Sequence, residues 1–209
     1  FLNSVIISGL TVAITLVVSS LGGYAFARFD FPFKNVLFLV TLAILMVPYA
    51  TLLIPLFVLL NDIGLGNTLL GLSLVLAMYQ LPFAMFMMRI SFEAVPRELE
   101  ESALCDGAGS FAVFRRIMLP LVLPGLITVA LFAFLAAWND FFAPLILISD
   151  PDQSPLPLAI AVLRQQTMGV IDYGATEAGV VDMALPVVIL FLVLQRYYVR
   201  GFMSGAVTG

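Results

Sequence analysis

The chain has 209 residues, of which 62% are hydrophobic and 11% charged, with a net charge of −4. A soluble domain carries about 25% charged residues, so this chain has too little polar surface to clothe a globule, which argues against a soluble enzyme. It has no basic cluster for nucleic acid. A single cysteine, Cys105, forbids an intrachain disulfide, and the absence of histidine removes a Cys/His metal site.

A helix rising about 1.5 Å per residue needs about 20 apolar residues to cross the hydrocarbon of a bilayer. Five stretches reach that length, near residues 3–27, 36–60, 67–88, 121–148 and 180–199, and predict an all-α integral membrane domain. The first carries Ser4, Ser8, Thr11, Thr15, Ser19 and Gly22 on one helical stripe. Such a stripe lets helices approach closely and is read as a packing face, with a polar solute path as the other reading. Pro48 and Pro55 interrupt the second span, Pro82 the third, Pro124 and Pro144 the fourth and Pro186 the fifth, and each tends to kink its helix.

Orientation follows from the basic residues, which are retained on the cytoplasmic side. Arg28 and Lys34 follow the first span, Arg89, Arg97, Arg115 and Arg116 separate the third from the fourth, and Arg196 and Arg200 end the fifth. With alternating spans only Arg164 falls outside, so the C-terminus is predicted to be cytoplasmic, in a multi-pass membrane protein. The chain then starts outside, which predicts a preceding span beyond Phe1.

Polar residues within spans face a protein interior or a water path. Tyr79 and Gln80 form one such set and Trp138, Asn139 and Asp140 another. For the second set the alternatives are an interfacial Trp138 with a locally capping or pairing Asp140, or a place on the solute path. The long outer segment 149–179 holds Pro151, Pro155 and Pro157, a predicted short helix over 158–166, and Gly169 and Gly174 as breaks. It is read as a solvated connector or a docking element, with Arg164, Gln165, Asp172 and Tyr173 as its candidate contacts.

Segment 93–120 is a wet island between apolar spans, with five of the thirteen acidic residues and three of the nine basic ones. Val95, Leu99 and Ala103 recur every four residues as the apolar face of a short helix, while Glu98 and Glu101 lie off that stripe. Gly107 and Gly109 break the helix, and Phe111, Phe114 and Met118 begin a second stripe. The pattern predicts two short helices around a glycine turn, roughly parallel to the membrane surface.

Glu101-Ser102-Ala103, three residues, Gly107, nine residues and then Ile117-Met118-Leu119-Pro120 resembles the EAA loop of permease subunits of binding-protein-dependent ABC importers, with Ser102 in place of the middle alanine. Trp138-Asn139-Asp140 and the ending from Gln195 to Gly209 are similar to carbohydrate-uptake permeases of the maltose-type second-permease class, with Thr208 where lysine is usual. The resemblance implies a five-span core. It implies a loop docking on a cytoplasmic ATPase through Glu98, Glu101, Ser102, Ala103, Asp106, Gly107, Ile117, Leu119 and Pro120. It also implies a bacterial-type plasma or inner membrane, a second permease, two ATPase subunits that hold the ATP and magnesium, and an extracytoplasmic solute-binding protein. The chain itself has no phosphate loop, its only lysine being Lys34 in Phe31-Pro32-Phe33-Lys34. Neither a nucleophile–base pair nor a metal set marks a membrane enzyme. An ion-coupled carrier using Asp140 is the other reading, with one deep carboxylate and no internal repeat behind it.

Overall fold

The computed structural model describes the backbone of residues 1–166 and 172–205, with side chains over 1–164 and 172–193. The described residues are helical and hold no strand. In order they form α1 (Leu2–Arg28), α2 (Lys34–Ala43) with a 3-10 turn (Ile44–Met46), α3 (Tyr49–Asp62) and α4 (Leu69–Glu93). Then come α5 (Arg97–Cys105), α6 (Ser110–Val113), a π-helical turn (Phe114–Met118), α7 (Leu119–Leu121) and α8 (Leu123–Asn139). The rest is α9 (Phe142–Leu147), a 3-10 turn (Pro151–Gln153), α10 (Leu156–Gln166) and α11 (Tyr173–Gly205).

Helices α1, α4 and α8 pack on one another and make the centre of the molecule. The hydroxyl stripe of α1 is that packing face: Ser4, Ser8, Thr11, Thr15 and Ser19 are all buried. Small side chains let the backbones approach, so the Thr11 hydroxyl reaches the Ser73 carbonyl at 3.4 Å and the Ser73 hydroxyl reaches the Ile7 carbonyl at 3.4 Å. At Gly23 the approach is tightest, since a Cβ there would lie 2.6 Å from Met88 Cβ. Of the two readings of the stripe, helix packing is the one the structure adopts.

Two apolar clusters stack along this bundle. Tyr24, Met88, Phe92, Phe114 and Met118 lie in the cluster at the end that bears segment 93–120. Ile7, Leu53, Leu72, Ala143 and Leu147 lie in the cluster at the other end.

Among the described residues, three helices are long and apolar enough to cross a membrane by themselves, Leu2–Arg28, Leu69–Glu93 and Tyr173–Val193. Two further spans exist only as bent pairs. Lys34–Met46 and Tyr49–Asp62 meet at 103°, and Ser110–Leu121 and Leu123–Asn139 at 76°. The predicted continuous span over 36–60 is thus two half-length helices broken at Val47–Pro48. The residue before a proline is driven from helical to extended backbone, and Val47 sits at φ −79°, ψ 124°. Pro55 and Pro82, by contrast, lie inside α3 and α4. The predicted fourth span, 121–148, also ends early, because the chain turns extended at Asp140 (φ −69°, ψ 131°) before α9. At its other limit, α11 starts at Tyr173, seven residues before the predicted 180, so Gly174 lies inside a helix and does not break one. Position 169 lies outside the described residues.

Candidate coupling loop and polar corner

Segment 93–120 folds as the two short helices expected. After α4, Pro96 (φ −56°, ψ 136°) sets the entry to α5, whose first turn bears Glu98 and Glu100, acidic residues suited to a helix N-terminus. The α5 C-terminus is closed by Gly107, at φ +86°, a left-handed conformation that glycine adopts without cost. The Gly107 amide donates to the Leu104 carbonyl at 3.0 Å and the Ala108 amide to the Ala103 carbonyl at 3.1 Å, the bond pair of a Schellman motif.

The return limb is held differently. The Leu119 amide reaches back five residues to the Phe114 carbonyl, opening a π turn. Pro120 follows it, and a proline has no amide to bond and crowds the carbonyl four residues before it. The limb then bends at Val122 into α8.

The loop presents one face to the protein and one to solvent. Val95, Ala103, Val113, Phe114 and Met118 are buried in the adjoining apolar cluster. Glu98, Glu101, Ser102, Asp106, Gly107 and Pro120 are exposed, while Ile117 and Leu119 are half-buried. Leu99, expected on the apolar face, is 45% exposed, and Phe111, expected on the second stripe, is 70% exposed. The inward position next to Ala103 is taken instead by Glu100.

Glu100 was not among the residues that sequence reasoning singled out. Its Oε2 lies 3.2 Å from Arg28 Nε, with the two side chains 15% and 5% exposed, and its Oε1 accepts a short hydrogen bond from the Tyr24 hydroxyl. Arg28 Nη2 donates to the Phe92 carbonyl at 2.8 Å and the Val95 carbonyl at 2.6 Å, so it also closes the C-terminus of α4. Arg28 was legible only as one count toward orientation. The four-residue apolar repeat concealed Glu100, because an inward carboxylate is stable only where a cation meets it.

At the opposite end of α8 the structure brings together Tyr79, Tyr49 and Asp140. The Tyr79 hydroxyl donates to the Tyr49 carbonyl at 3.0 Å, and the two rings meet edge-on at 4.4 Å. The Tyr49 hydroxyl donates to Asp140 Oδ2 at 2.7 Å, and the Ala143 amide to Asp140 Oδ1 at 2.8 Å. Asp140 therefore caps α9 and pairs locally, each of its oxygens accepting one hydrogen bond. Asn139 is exposed and donates to the Leu135 carbonyl at 2.7 Å, while Gln80 is half-buried on α4. Trp138 is not an interfacial anchor. It is 1% exposed, stacks on Phe134 and donates to the Met183 carbonyl of α11 at 2.9 Å.

The outer segment is tied to the bundle at both sides. The Leu156 amide donates to the Ser4 hydroxyl at 2.7 Å, and the Asn3 amide group donates to the Asp152 carbonyl at 2.7 Å. Asn67 Oδ1 accepts from the Ser149 and Asp150 amides at 2.8 and 3.1 Å. The expected short helix is α10, and Arg164 is exposed near its end. The Gln165 side chain lies outside the described residues. Asp172 accepts from the Ala175 amide at 3.0 Å and so caps α11, with Tyr173 69% exposed beside it.

A bundle of long apolar helices, with two bent pairs and a charged helical loop among them, defines a polytopic membrane protein. The chain belongs to the family described as binding-protein-dependent transport system inner membrane component, whose pattern matches residues 19–204. It is 37% identical to the probable ABC transporter permease protein YurM of Bacillus subtilis, over all of this chain and 69% of that protein. It is 38% identical to the diacetylchitobiose uptake system permease protein NgcG of Streptomyces coelicolor, over 94% of this chain and 65% of that one. With the trehalose transport system permease protein SugB of Mycobacterium tuberculosis it shares 36% identity, over all of this chain and 76% of that protein. The chain thus spans about two thirds to three quarters of these relatives' length. The fold is that of a chain in the crystal structure of a bacterial ABC transporter involved in the import of the acidic polysaccharide alginate. The TM-score is 0.80, over 95% of this chain and 74% of that one, at 23% identity.

Proposed function

We propose that this permease forms half of the translocation path for a sugar or oligosaccharide and is driven by ATP hydrolysed in separate cytoplasmic subunits. The other half comes from a second permease subunit. An extracytoplasmic binding protein delivers the solute, and the lipid bilayer surrounds the assembly. ATP and magnesium belong to the two ATPase subunits, and the C-terminus lies on their side of the membrane. The relatives named for diacetylchitobiose and trehalose uptake support the carbohydrate class.

One observation carries the coupling role. Helix α5 is anchored by buried Ala103, yet Glu98, Glu101, Ser102 and Asp106 stand exposed next to a sharp turn at Gly107. An exposed acidic face on a well-anchored helix suits a basic cleft on a partner. A partner that binds two states of a switch with different free energy moves the equilibrium between them, and nucleotide-driven closure of the ATPase pair supplies that difference through α5. Tyr79, Gln80, Asn139 and Asp140 then sit near the outer part of the path, and Arg164, Asp172 and Tyr173 mark the side that the binding protein approaches.

Glu101→Lys tests the coupling. Membrane insertion is expected to be intact, while the ATPase activity stimulated by the binding protein falls at least tenfold; undiminished stimulation refutes the role of Glu101. Deleting residues 165–171 is expected to abolish the same stimulation, and a deletion without effect removes the binding-protein contact.

A further inference from the structure

The coupling reading places a load on the exposed face of α5 but leaves open how that load reaches the bundle. α5 is joined to α4 by the short link Ala94-Val95-Pro96. Besides that link and the turn into α6, α5 buries only Ala103, so a joint at Pro96 would absorb part of a push on Glu101.

Glu100 removes that freedom. It meets Arg28 at 3.2 Å and the Tyr24 hydroxyl, both on α1, one helical turn apart. Arg28 at the same time holds the Phe92 and Val95 carbonyls of the α4 end and its exit. The Arg28 guanidinium is therefore shared among three elements, and its partner carboxylate is 15% exposed. A charge pair withdrawn from water resists separation, since parting it leaves each charge buried without compensation. Tyr24 is itself packed among Phe29, Phe92 and Phe114, so the donor side of the contact is rigid. Among the described residues, the other ion pairs near this end, Lys34–Asp30 and Arg89–Glu93, join residues four apart within one limb and span no second element.

We propose that Arg28, Glu100 and Tyr24 are positioning residues that clamp α5 to α1, so that displacement of the coupling helix moves α1 as one body with it. α1 packs along both α4 and α8, so a load arriving at α1 reaches the whole centre of the bundle. This rests on the coupling reading for its purpose, though not for its geometry.

The assembled transporter, purified with its ATPase and permease partners, provides the test. Spin labels are placed on native Cys105, exposed on α5, and on Leu2→Cys, exposed at the far end of α1. The label separation is on the order of 40 Å along α1, within reach of pulsed dipolar spectroscopy. The distance distribution is expected to be the same without nucleotide and with ATP and vanadate, whereas Glu100→Gln at least doubles its width or shifts it with nucleotide. A parent distance that changes with nucleotide overturns the clamp, and so does a Glu100→Gln distribution that stays narrow and unmoved. If Glu100→Gln does not assemble, Tyr24→Phe, which keeps the ring packing and loses only the phenol donor, decides by the same criterion with a smaller expected broadening. Stimulated ATPase activity of Glu101→Lys, read in the same preparation, separates the two readings. Full stimulation there, with a broadened Glu100→Gln distance, removes the coupling role and leaves the clamp; loss of stimulation with an unmoved distance does the reverse.

Discussion

Neighbouring glycines Gly22 and Gly23 of α1 make a paired prediction, because replacing each by alanine has opposite consequences. Alanine raises helix propensity by roughly 1 kcal/mol at either position. At Gly22 the new Cβ would lie 2.7 Å from Met85 Cε, the free end of a flexible side chain that can swing aside. The propensity gain largely survives, and Gly22→Ala is expected to be neutral or to stabilise by up to about 1 kcal/mol. At Gly23 the Cβ would lie 2.6 Å from Met88 Cβ and 3.0 Å from Arg89 N and Met88 C. Backbone cannot rotate away, so α1 and α4 must part, and the overpacking cost sits near the upper end of its usual range, about 3 kcal/mol. Net of propensity, Gly23→Ala is expected to destabilise by about 2 kcal/mol. A detergent titration in mixed micelles, following helix content of the refolded chain, measures both variants against the parent. Indistinguishable midpoints, or a worse Gly22→Ala, would refute the claim that α1 and α4 meet backbone to backbone at Gly23.

Ser4→Ala is expected to cost about 1–3 kcal/mol, because it strands the Leu156 amide that now donates to the Ser4 hydroxyl; faster proteolysis of the outer loop is the readout. Gly107→Ala meets no atom within 4 Å but keeps φ at +86°, so the cost is conformational, about 1–2 kcal/mol. It should appear as faster thiol labelling of Cys105, with the bundle's melting unchanged. Asp140→Ala removes the acceptor of both Tyr49 and Ala143 and is expected to loosen the α8–α9 corner. If the carboxylate also faces solute, Asp140→Asn, which keeps an oxygen for Ala143, should still alter the KM of solute uptake. Kinetics equal to the parent's would confine Asp140 to capping.

Much of the architecture was legible because lipid imposes simple demands: long apolar runs gave α1, α4 and α11, and small residues every third or fourth position gave the buried face of α1. The bent spans were less legible. Prolines at 48, 55, 82 and 124 look alike in sequence, yet Pro55 and Pro82 stay inside helices while the chain breaks before Pro48 and at Val122. Which prolines break a helix depends on whether neighbours supply the lost backbone partners, and that is tertiary information. The end of α8 was missed for a related reason. Asp140 leaves the helix to cap the next one, and a hydrophobic run that continues through Phe141–Leu147 conceals the exit.

Segment 93–120 shows the limit from the other side. Local sequence offered Gly107 and Gly109 as the turn, and it is Gly107, two residues past Cys105, that takes the left-handed backbone. Spacing could not place Glu100, whose orientation is decided by Arg28 more than seventy residues earlier. A motif reading ranks Glu101 above its neighbour by position, yet the two carboxylates differ in kind. Glu101 is exposed and available to a partner, whereas Glu100 is withdrawn and already paired. Desolvation makes the buried one costly to disturb and the exposed one cheap to rearrange. In the proposed coupling, the exposed acid meets the partner and the paired one fixes the helix to the bundle, side by side on α5.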